Sequence, residues 1–181
     1  MKKVIVYNSK TGFTKKYAEW MAEELQCDTR PFQKDMESLK EYELVVFGGG
    51  IMAGKVNGLD QFKNKMDAKN QRLIVFATGA TSQELTDVTE QFKKNNLNDD
   101  EQKKVPFYYF EGGINYNNMS MVTKFFMKIL LSMLKNKKNR TAEEEGMLQS
   151  LSHSFDHCDR SRISSMMNQI KEWENGYLQN S

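Results

Sequence analysis

The sequence predicts an α/β fold, a doubly wound sheet of five parallel strands with helices on both faces. Short apolar runs, typical of buried strands, recur along the chain. Helical patterns of apolar residues lie between them, and this alternation favours parallel pairing with right-handed crossovers. A length of 181 residues is enough for one such domain, residues 1–181, and short for two.

Four of the predicted strands are apolar and one is polar. The polar run, Cys27–Phe32, contains Pro31, whose nitrogen cannot donate a hydrogen bond to a neighbouring strand. We therefore place it at an edge of the sheet, which gives the strand order 2-1-3-4-5. The apolar runs are Val4–Tyr7, Leu44–Gly48, Leu73–Ala77 and Val105–Phe110.

Apolar residues at helical spacing predict the helices between and after the strands. We expect a capping box at Thr81–Glu84, at most a brief helix between Phe32 and Leu44, and a frayed polar tail from Glu174. The apolar faces are formed by Tyr17, Ala18, Met21 and Leu25; by Leu59, Phe62 and Met66; by Leu85, Val88 and Phe92; and by Ile163, Met167, Ile170 and Trp173.

The composition is that of an ordinary globular protein. Hydrophobic residues make up 39% of the chain and charged residues 28%, and a net charge of +2 does not indicate a nucleic-acid-binding protein. Cys27 and Cys158 lie far apart in no metal or redox spacing, which favours a reducing compartment. The chain enters its first strand at once and has no run of transmembrane length, so we expect a cytoplasmic protein without a signal peptide.

The first strand ends in a loop rich in hydroxyl groups, and a helix follows directly. The first N–H groups of a helix have no intrahelical partner, and the helix dipole gives that end partial positive charge. Ser9, Thr11 and Thr14 add hydroxyl donors, and Gly12 lets the backbone approach a bulky group. With Lys10 as its cation, the loop is suited to a phosphate monoester. The alternative is a capped helix start with a polar turn and no ligand.

The order Ser-x-Thr-Gly-x-Thr over Ser9–Thr14 resembles the phosphate loop of the flavodoxins, which hold the 5′-phosphate of FMN. The resemblance implies a flavodoxin-like fold with FMN as the cofactor. It also implies that two later loops hold the flavin ring, the first near its N5 edge and the second near its pyrimidine edge. The implied cofactor-binding residues are Ser9, Lys10, Thr11, Gly12, Phe13 and Thr14; Gly49, Gly50, Ile51, Met52, Ala53 and Gly54; and Thr78, Gly79 and Ala80.

Gly48–Ala53 also fits a loose G-x-G-x-x-A dinucleotide pattern, which we reject. That pattern belongs in the first strand–helix turn with a helix starting inside it. Here it follows the third predicted strand, and Asn57-Gly58 predicts a turn before any helix. A Gly-rich loop without a ligand remains as the alternative.

The two ring loops depart from those of flavodoxins that act as electron carriers. Such carriers stack Trp or Tyr on the ring and surround it with acidic residues. Neither loop here has an aromatic residue, and Lys55 lies nearby. We infer an FMN-dependent oxidoreductase whose flavin has one face open to a substrate. The alternative is a non-catalytic flavodoxin-type electron carrier. The sequence requires no catalytic acid or base, and it predicts no metal site, since His153 and His157 are expected on the surface.

A long apolar helix is predicted at about 120–135. Its polar residues form a narrow stripe, so it has more than one apolar face to bury. One alternative is cover by the polar segment Asn136–Ser154. Otherwise the second face meets a second subunit, a membrane surface or an apolar substrate.

The C-terminal third carries a second, narrower resemblance. Gly112-Gly113-Ile114-x-Tyr116, Lys124–Leu130 and the helix at Asp159–Ile170 are similar to the menaquinone-dependent protoporphyrinogen oxidase branch of the flavodoxin superfamily. Members of that branch pass electrons from a porphyrinogen to a quinone at the membrane. The resemblance therefore implies a quinone-type electron acceptor, with a porphyrinogen as one candidate donor.

Overall fold

The computed structural model describes residues 1–67 and 69–179 and contains a mainly parallel sheet. Its parallel strands have the order β2-β1-β3-β5-β6, and β4 pairs antiparallel with the end of β3. With β4 set aside, this is the predicted order 2-1-3-4-5, and the α/β fold is confirmed. The strands are β1 Lys3–Asn8, β2 Asp28–Pro31, β3 Leu44–Met52, β4 Lys55–Val56, β5 Arg72–Gly79 and β6 Phe107–Glu111.

The predicted helices are present, and several further elements were not predicted. They are the strand β4, a small antiparallel ladder of β7 with β8, and the helices α4 and α6. The remaining elements are α1 Phe13–Leu25, α2 Leu59–Lys63, α3 Thr86–Asn96, α4 Asp99–Lys104, β7 Gly113–Ile114, α5 Met121–Asn136, α6 Ala142–Leu151, β8 Phe155–Asp156, a 3-10 turn at Arg160–Ile163, and α7 Ser164–Gln179.

The sheet separates two apolar layers. In β1, Val4 and Val6 pack on one side with Phe62 of α2 and Phe92 of α3. Ile5 packs on the other side with residues of α1 and α7. Successive strand residues point to opposite faces, so a strand with both faces covered must be apolar throughout, which explains the continuous apolar run of β1.

Three local expectations need correction or extension. The capping box at Thr81–Glu84 is wrong: α3 begins at Thr86 after Leu85, without a side-chain cap. The buried Tyr109 hydroxyl donates to the carbonyl oxygen of Thr81 at 2.8 Å, and this bond holds the segment in a turn. Met66 lies beyond the end of α2, although it packs on the same core. The tail from Glu174 is helical as far as Gln179, and residues 180–181 lie outside the described part of the chain.

Glu111, at the end of β6, ties the C-terminal segment to the sheet. Its carboxylate accepts a hydrogen bond from Arg162 at 3.0 Å and lies 2.7 Å from His157 Nδ1. Burial raises the pKa of this carboxyl, but the His157 and Arg162 contacts outweigh it, and the net shift is downward. The carboxylate therefore stays charged at neutral pH. The backbone carbonyl oxygen of Glu111 accepts a hydrogen bond from the Tyr17 hydroxyl at 2.7 Å, which joins α1 to the end of β6.

Gly48 is required by the close approach of β5. A Cβ atom added at Gly48 would overlap the ring of Phe76, which is fully buried. We expect Gly48→Ala to lower the free energy of unfolding by about 2–3 kcal/mol through overpacking. Gly146→Ala is the control, because no atom lies within 4 Å of the added Cβ. In helix α6 it should instead raise stability by about 0.5–1 kcal/mol. Urea unfolding measures the change in free energy for both variants. Equal changes would contradict the conclusion that Phe76 leaves no room for a side chain at position 48.

Candidate functional site

The carboxyl ends of β1, β3 and β5 meet at a cavity of about 310 Å³. All three predicted loops contribute to it. The residues of those loops that line the cavity are Lys10, Thr11, Phe13, Thr14, Gly50, Ile51, Met52, Ala53, Thr78, Gly79 and Ala80. Four further residues implied by the resemblance, Ser9, Gly12, Gly49 and Gly54, are not among the lining residues.

Ser9 and Gly12 shape the first loop rather than line the cavity. Gly12 has φ +102°, in the left-handed region, and it turns the chain from β1 into α1. Its N–H donates to Ser9 Oγ at 3.2 Å. The first intrahelical bond runs from Lys16 N–H to the Gly12 carbonyl, and no described side chain caps the helix. The N–H groups of residues 13–15 therefore have no partner within the helix and remain available for an anion.

A buried hydrogen bond links the first loop to the third. Thr14 Oγ1 and Thr78 Oγ1 lie 2.7 Å apart, and the two residues are only 2% and 4% exposed. Thr14 is in the first turn of α1 and Thr78 is near the end of β5. Because each hydroxyl is the other's buried partner, the bond fixes the spacing between the two loops.

Much of the second loop is an extension of the sheet, because β3 continues to Met52 rather than ending at Gly48 as predicted. Gly48, Gly49 and Gly50 continue to pair with β5, and the first two also pair with β1. The chain then reverses at Ala53 and Gly54, whose φ values are +50° and +78°. Positive φ at both central residues is typical of a tight hairpin turn. The cavity-lining backbone is therefore held in a strand and a short turn.

The third loop is fixed by the strand beside it. A Cβ added at Gly79 would lie 2.8 Å from Tyr109 Oη, so only glycine fits between β5 and this ring without displacing it. Burial raises the pKa of Tyr109 to about 12. The phenol thus stays protonated and keeps its bond to Thr81.

The remaining wall of the cavity comes from residues that sequence reasoning did not assign to the site. Most belong to the C-terminal third, and several are apolar. Their sequence signal is ambiguous, because Met and Leu in an amphipathic helix are more often core residues than site residues. They are Asn57, Gly113, Ile114, Met119, Ser120, Thr123, Met127 and Leu151.

His153 and His157 lie on the surface, as predicted. His157 contacts Glu111, on the β7–β8 side of the fold, and neither histidine is among the cavity-lining residues. Within residues 1–67 and 69–179, no three His, Cys, Asp or Glu side chains are grouped as metal ligands.

The Thr14–Thr78 bond gives a double-mutant test. Thr78→Val leaves the buried Thr14 hydroxyl without a partner and should lower the free energy of unfolding by about 1–3 kcal/mol. Adding Thr14→Val removes this unpartnered hydroxyl, so the double variant should be close to the parent in its free energy of unfolding. Urea unfolding of the cofactor-free protein measures the four forms. Additive losses would show that the two hydroxyls do not depend on each other.

Comparison with known proteins identifies a family. Residues 4–141 match the family described as "Flavodoxin domain". No curated protein matches the chain. Among solved structures, a candidate flavoprotein from Bacteroides uniformis is 16% identical, with 70% of this chain and 97% of that chain covered and a TM-score of 0.47.

Two further structures are similar to parts of the chain. A flavoprotein in complex with FMN from Lactobacillus acidophilus is 18% identical, covering 69% of this chain and 98% of that chain, with a TM-score of 0.40. The Trp repressor binding protein from Bacillus subtilis is 14% identical, covering 77% of this chain and 100% of that chain, with a TM-score of 0.43. None of these matches supports the protoporphyrinogen oxidase branch. The family match spans more than half of the sequence and includes the three loops around the cavity, so the chain belongs to the flavodoxin domain family.

Proposed function

We propose that this protein is an FMN-dependent oxidoreductase that passes electrons between a reduced donor and a quinone-type acceptor. The observation that carries the proposal is the two-sided cavity. One side lies at the ends of β1, β3 and β5 and consists mostly of hydroxyl-bearing and small residues, together with Lys10, Phe13, Ile51 and Met52. The other side is built largely from apolar residues of the C-terminal third. The first side suits a cofactor, and the second suits an apolar reaction partner.

The residues present fit FMN. A terminal phosphoryl group needs donors and positive charge, and the start of α1 offers free N–H groups with Thr11 and Lys10 beside them. A planar ring needs a slot whose walls carry no bulky side chains. Gly50 and Ala80 provide such walls, and a Cβ added at Gly50 would meet no atom closer than 3.8 Å. The volume lies at the lower end of the range for ligand cavities, roughly 300–1,000 Å³.

FMN supplies one- and two-electron transfer when it is bound, and the chain supplies binding, orientation and electrostatics. Thr11 and the α1 N–H groups hold the phosphoryl end. Lys10 is the only ionisable side chain among the described residues that line the cavity. The lining therefore offers no carboxylate or histidine as an acid or base, and its electrostatic influence is that of one positive charge.

An apolar acceptor is favoured by the wall opposite the cofactor loops. Ile114, Met119, Met127 and Leu151 contribute to it. Burial of an acceptor ring against these side chains excludes water and removes apolar surface from solvent. A quinone combines an apolar ring, which such a wall would bury, with two carbonyl oxygens, which accept hydrogen bonds. The hydroxyls of Ser120 and Thr123 are on the same wall and share a hydrogen bond of 2.9 Å, so the one that accepts in this bond keeps its proton for such an oxygen.

Thr11 tests where the cofactor lies. Thr11→Val removes a donor to a charged phosphoryl group, so the Kd for FMN should rise about tenfold or more. Thr11→Ser, which keeps the hydroxyl, should bind like the parent. Riboflavin has no phosphoryl group, and its affinity should be the same in all three proteins. Fluorescence quenching on titration measures each Kd. An equal loss for FMN and riboflavin, or no loss, would place the phosphoryl group elsewhere.

The acceptor is tested by stopped-flow oxidation of the photoreduced, FMN-loaded protein. Menadione should restore the oxidised FMN spectrum rapidly, and Met127→Gln should slow that step by about tenfold through lost apolar contact. Met147→Gln, on the exposed side of α6, is the matched control and should leave the rate unchanged. If the reduced protein reacts only with a one-electron protein acceptor, the alternative of an electron carrier is correct. A chain that does not take up FMN would refute both functions.

A further inference from the structure

Helix α5 has a second apolar face that points away from the cavity. Met121, Phe125, Ile129 and Met133 are spaced four residues apart, so they form one stripe along the helix. Their exposed fractions are 82%, 62%, 41% and 67%. The other side of the helix contributes Thr123 and Met127 to the cavity wall and buries Leu134. A single helix therefore separates the cavity from an exposed apolar surface.

The segment that follows α5 does not cover this stripe. It folds into α6, which is joined to the end of α5 by polar contacts. Lys137 pairs with Glu144, and Arg140 pairs with Glu145 while donating to the carbonyl oxygen of Leu134. With α6 in this place the stripe remains exposed, so cover by residues 136–154, one of the alternatives from the sequence, does not occur.

Positive charge is concentrated around the same helix. Residues 112–142 contain six of the 26 basic residues of the chain and none of its 24 acidic residues; two of the six, Lys137 and Arg140, are paired with the acidic residues of α6. Lys124, Lys128 and Lys135 of α5 are spaced so that, at 100° per residue, they fall in one strip beside the apolar stripe. In the part of the chain that the structure describes, these three lysines form no salt bridge.

We propose that this face of α5, the stripe with its adjoining lysine strip, binds the surface of an anionic membrane. An apolar stripe flanked by cations is the pattern of a helix that lies in the interface, with its side chains among the acyl chains and its lysines at the headgroups. A second copy of the chain fits less well. A symmetric pair through this face would bring two lysine strips together, and α5 has no carboxylate to balance them.

The helix lies on the membrane rather than across it. Its sixteen residues span about 24 Å, less than the hydrocarbon thickness of roughly 30 Å. In residues 1–67 and 69–179, no helix combines the length and the apolar character needed for a membrane span. Docking by α5 places the cavity about one helix diameter, roughly 10 Å, from the lipid.

The test is sedimentation of the full-length protein with two kinds of vesicle. Vesicles of phosphatidylcholine mixed with phosphatidylglycerol should bind it, and vesicles of phosphatidylcholine alone should bind it weakly. Lys128→Gln with Lys135→Gln should weaken binding to the anionic vesicles about 25-fold, since each lysine near the surface contributes about a factor of five. The control pair, Lys34→Gln with Lys94→Gln, changes two exposed lysines elsewhere and should bind like the parent.

The apolar stripe is tested separately. Met121→Gln with Met133→Gln should weaken binding about tenfold or more, whereas Leu85→Gln, an exposed apolar residue on another element, should have no effect. Equal binding to both kinds of vesicle, or full binding by the methionine variant, would overturn the proposal. A third outcome would also overturn it: the parent protein is a dimer that binds no vesicles, and the methionine variant is a monomer. The face would then be a subunit interface. The proposal does not depend on FMN, and the cofactor-free protein should give the same results.

Discussion

The site depends on the reversal of winding between β1 and β3. Helix α1 leaves β1 towards one face of the sheet, and α2 and α3, after β3 and β5, lie on the opposite face. The chain therefore turns in opposite directions at the carboxyl ends of two neighbouring parallel strands, and a crevice opens between them. The three loops reach this crevice because their strands end there. Their residue types then decide what can bind, but the crevice itself follows from the topology.

The Thr14–Thr78 pair affects how the crevice can hold an anion. A hydroxyl group has one donor and two acceptor positions. In the structure each of these hydroxyls is hydrogen-bonded to the other. If Thr78 is the donor, the Thr14 proton is left for an anion in the crevice. An anion bound there would polarise the bond between the two loops and so strengthen it.

The sequence was sufficient for the sheet, and it singled out most of the loop residues that line the cavity. Strand order followed from the apolar runs and Pro31, and eleven of the fifteen implied site residues line the cavity. The predicted third strand ended at Gly48, and Gly49 and Gly50 were assigned to a loop rich in small residues. The structure pairs Gly48 and Gly49 with strands on both sides and Gly50 with β5, and at Gly48 the ring of Phe76 takes the space that a side chain would need. The capping box at Thr81–Glu84 failed because the bond from Tyr109 is long-range and leaves no mark in a local pattern.

The apolar side of the cavity could not be predicted for a related reason. The periodicity of α5 showed that it had two apolar faces, but not which side met the protein. The net charge of the whole chain likewise did not show where its basic residues are concentrated. A total of +2 averages a strongly basic stretch at 112–142 with an acidic remainder, although a field at the surface depends on where charges lie. Once α5 is placed over the cavity, its lysines and its exposed stripe fall on the outer surface together. An apolar acceptor dissolved in a lipid surface would then approach the cavity wall from the side on which α5 lies, so the proposed acceptor and the proposed membrane face both follow from the position of this one helix.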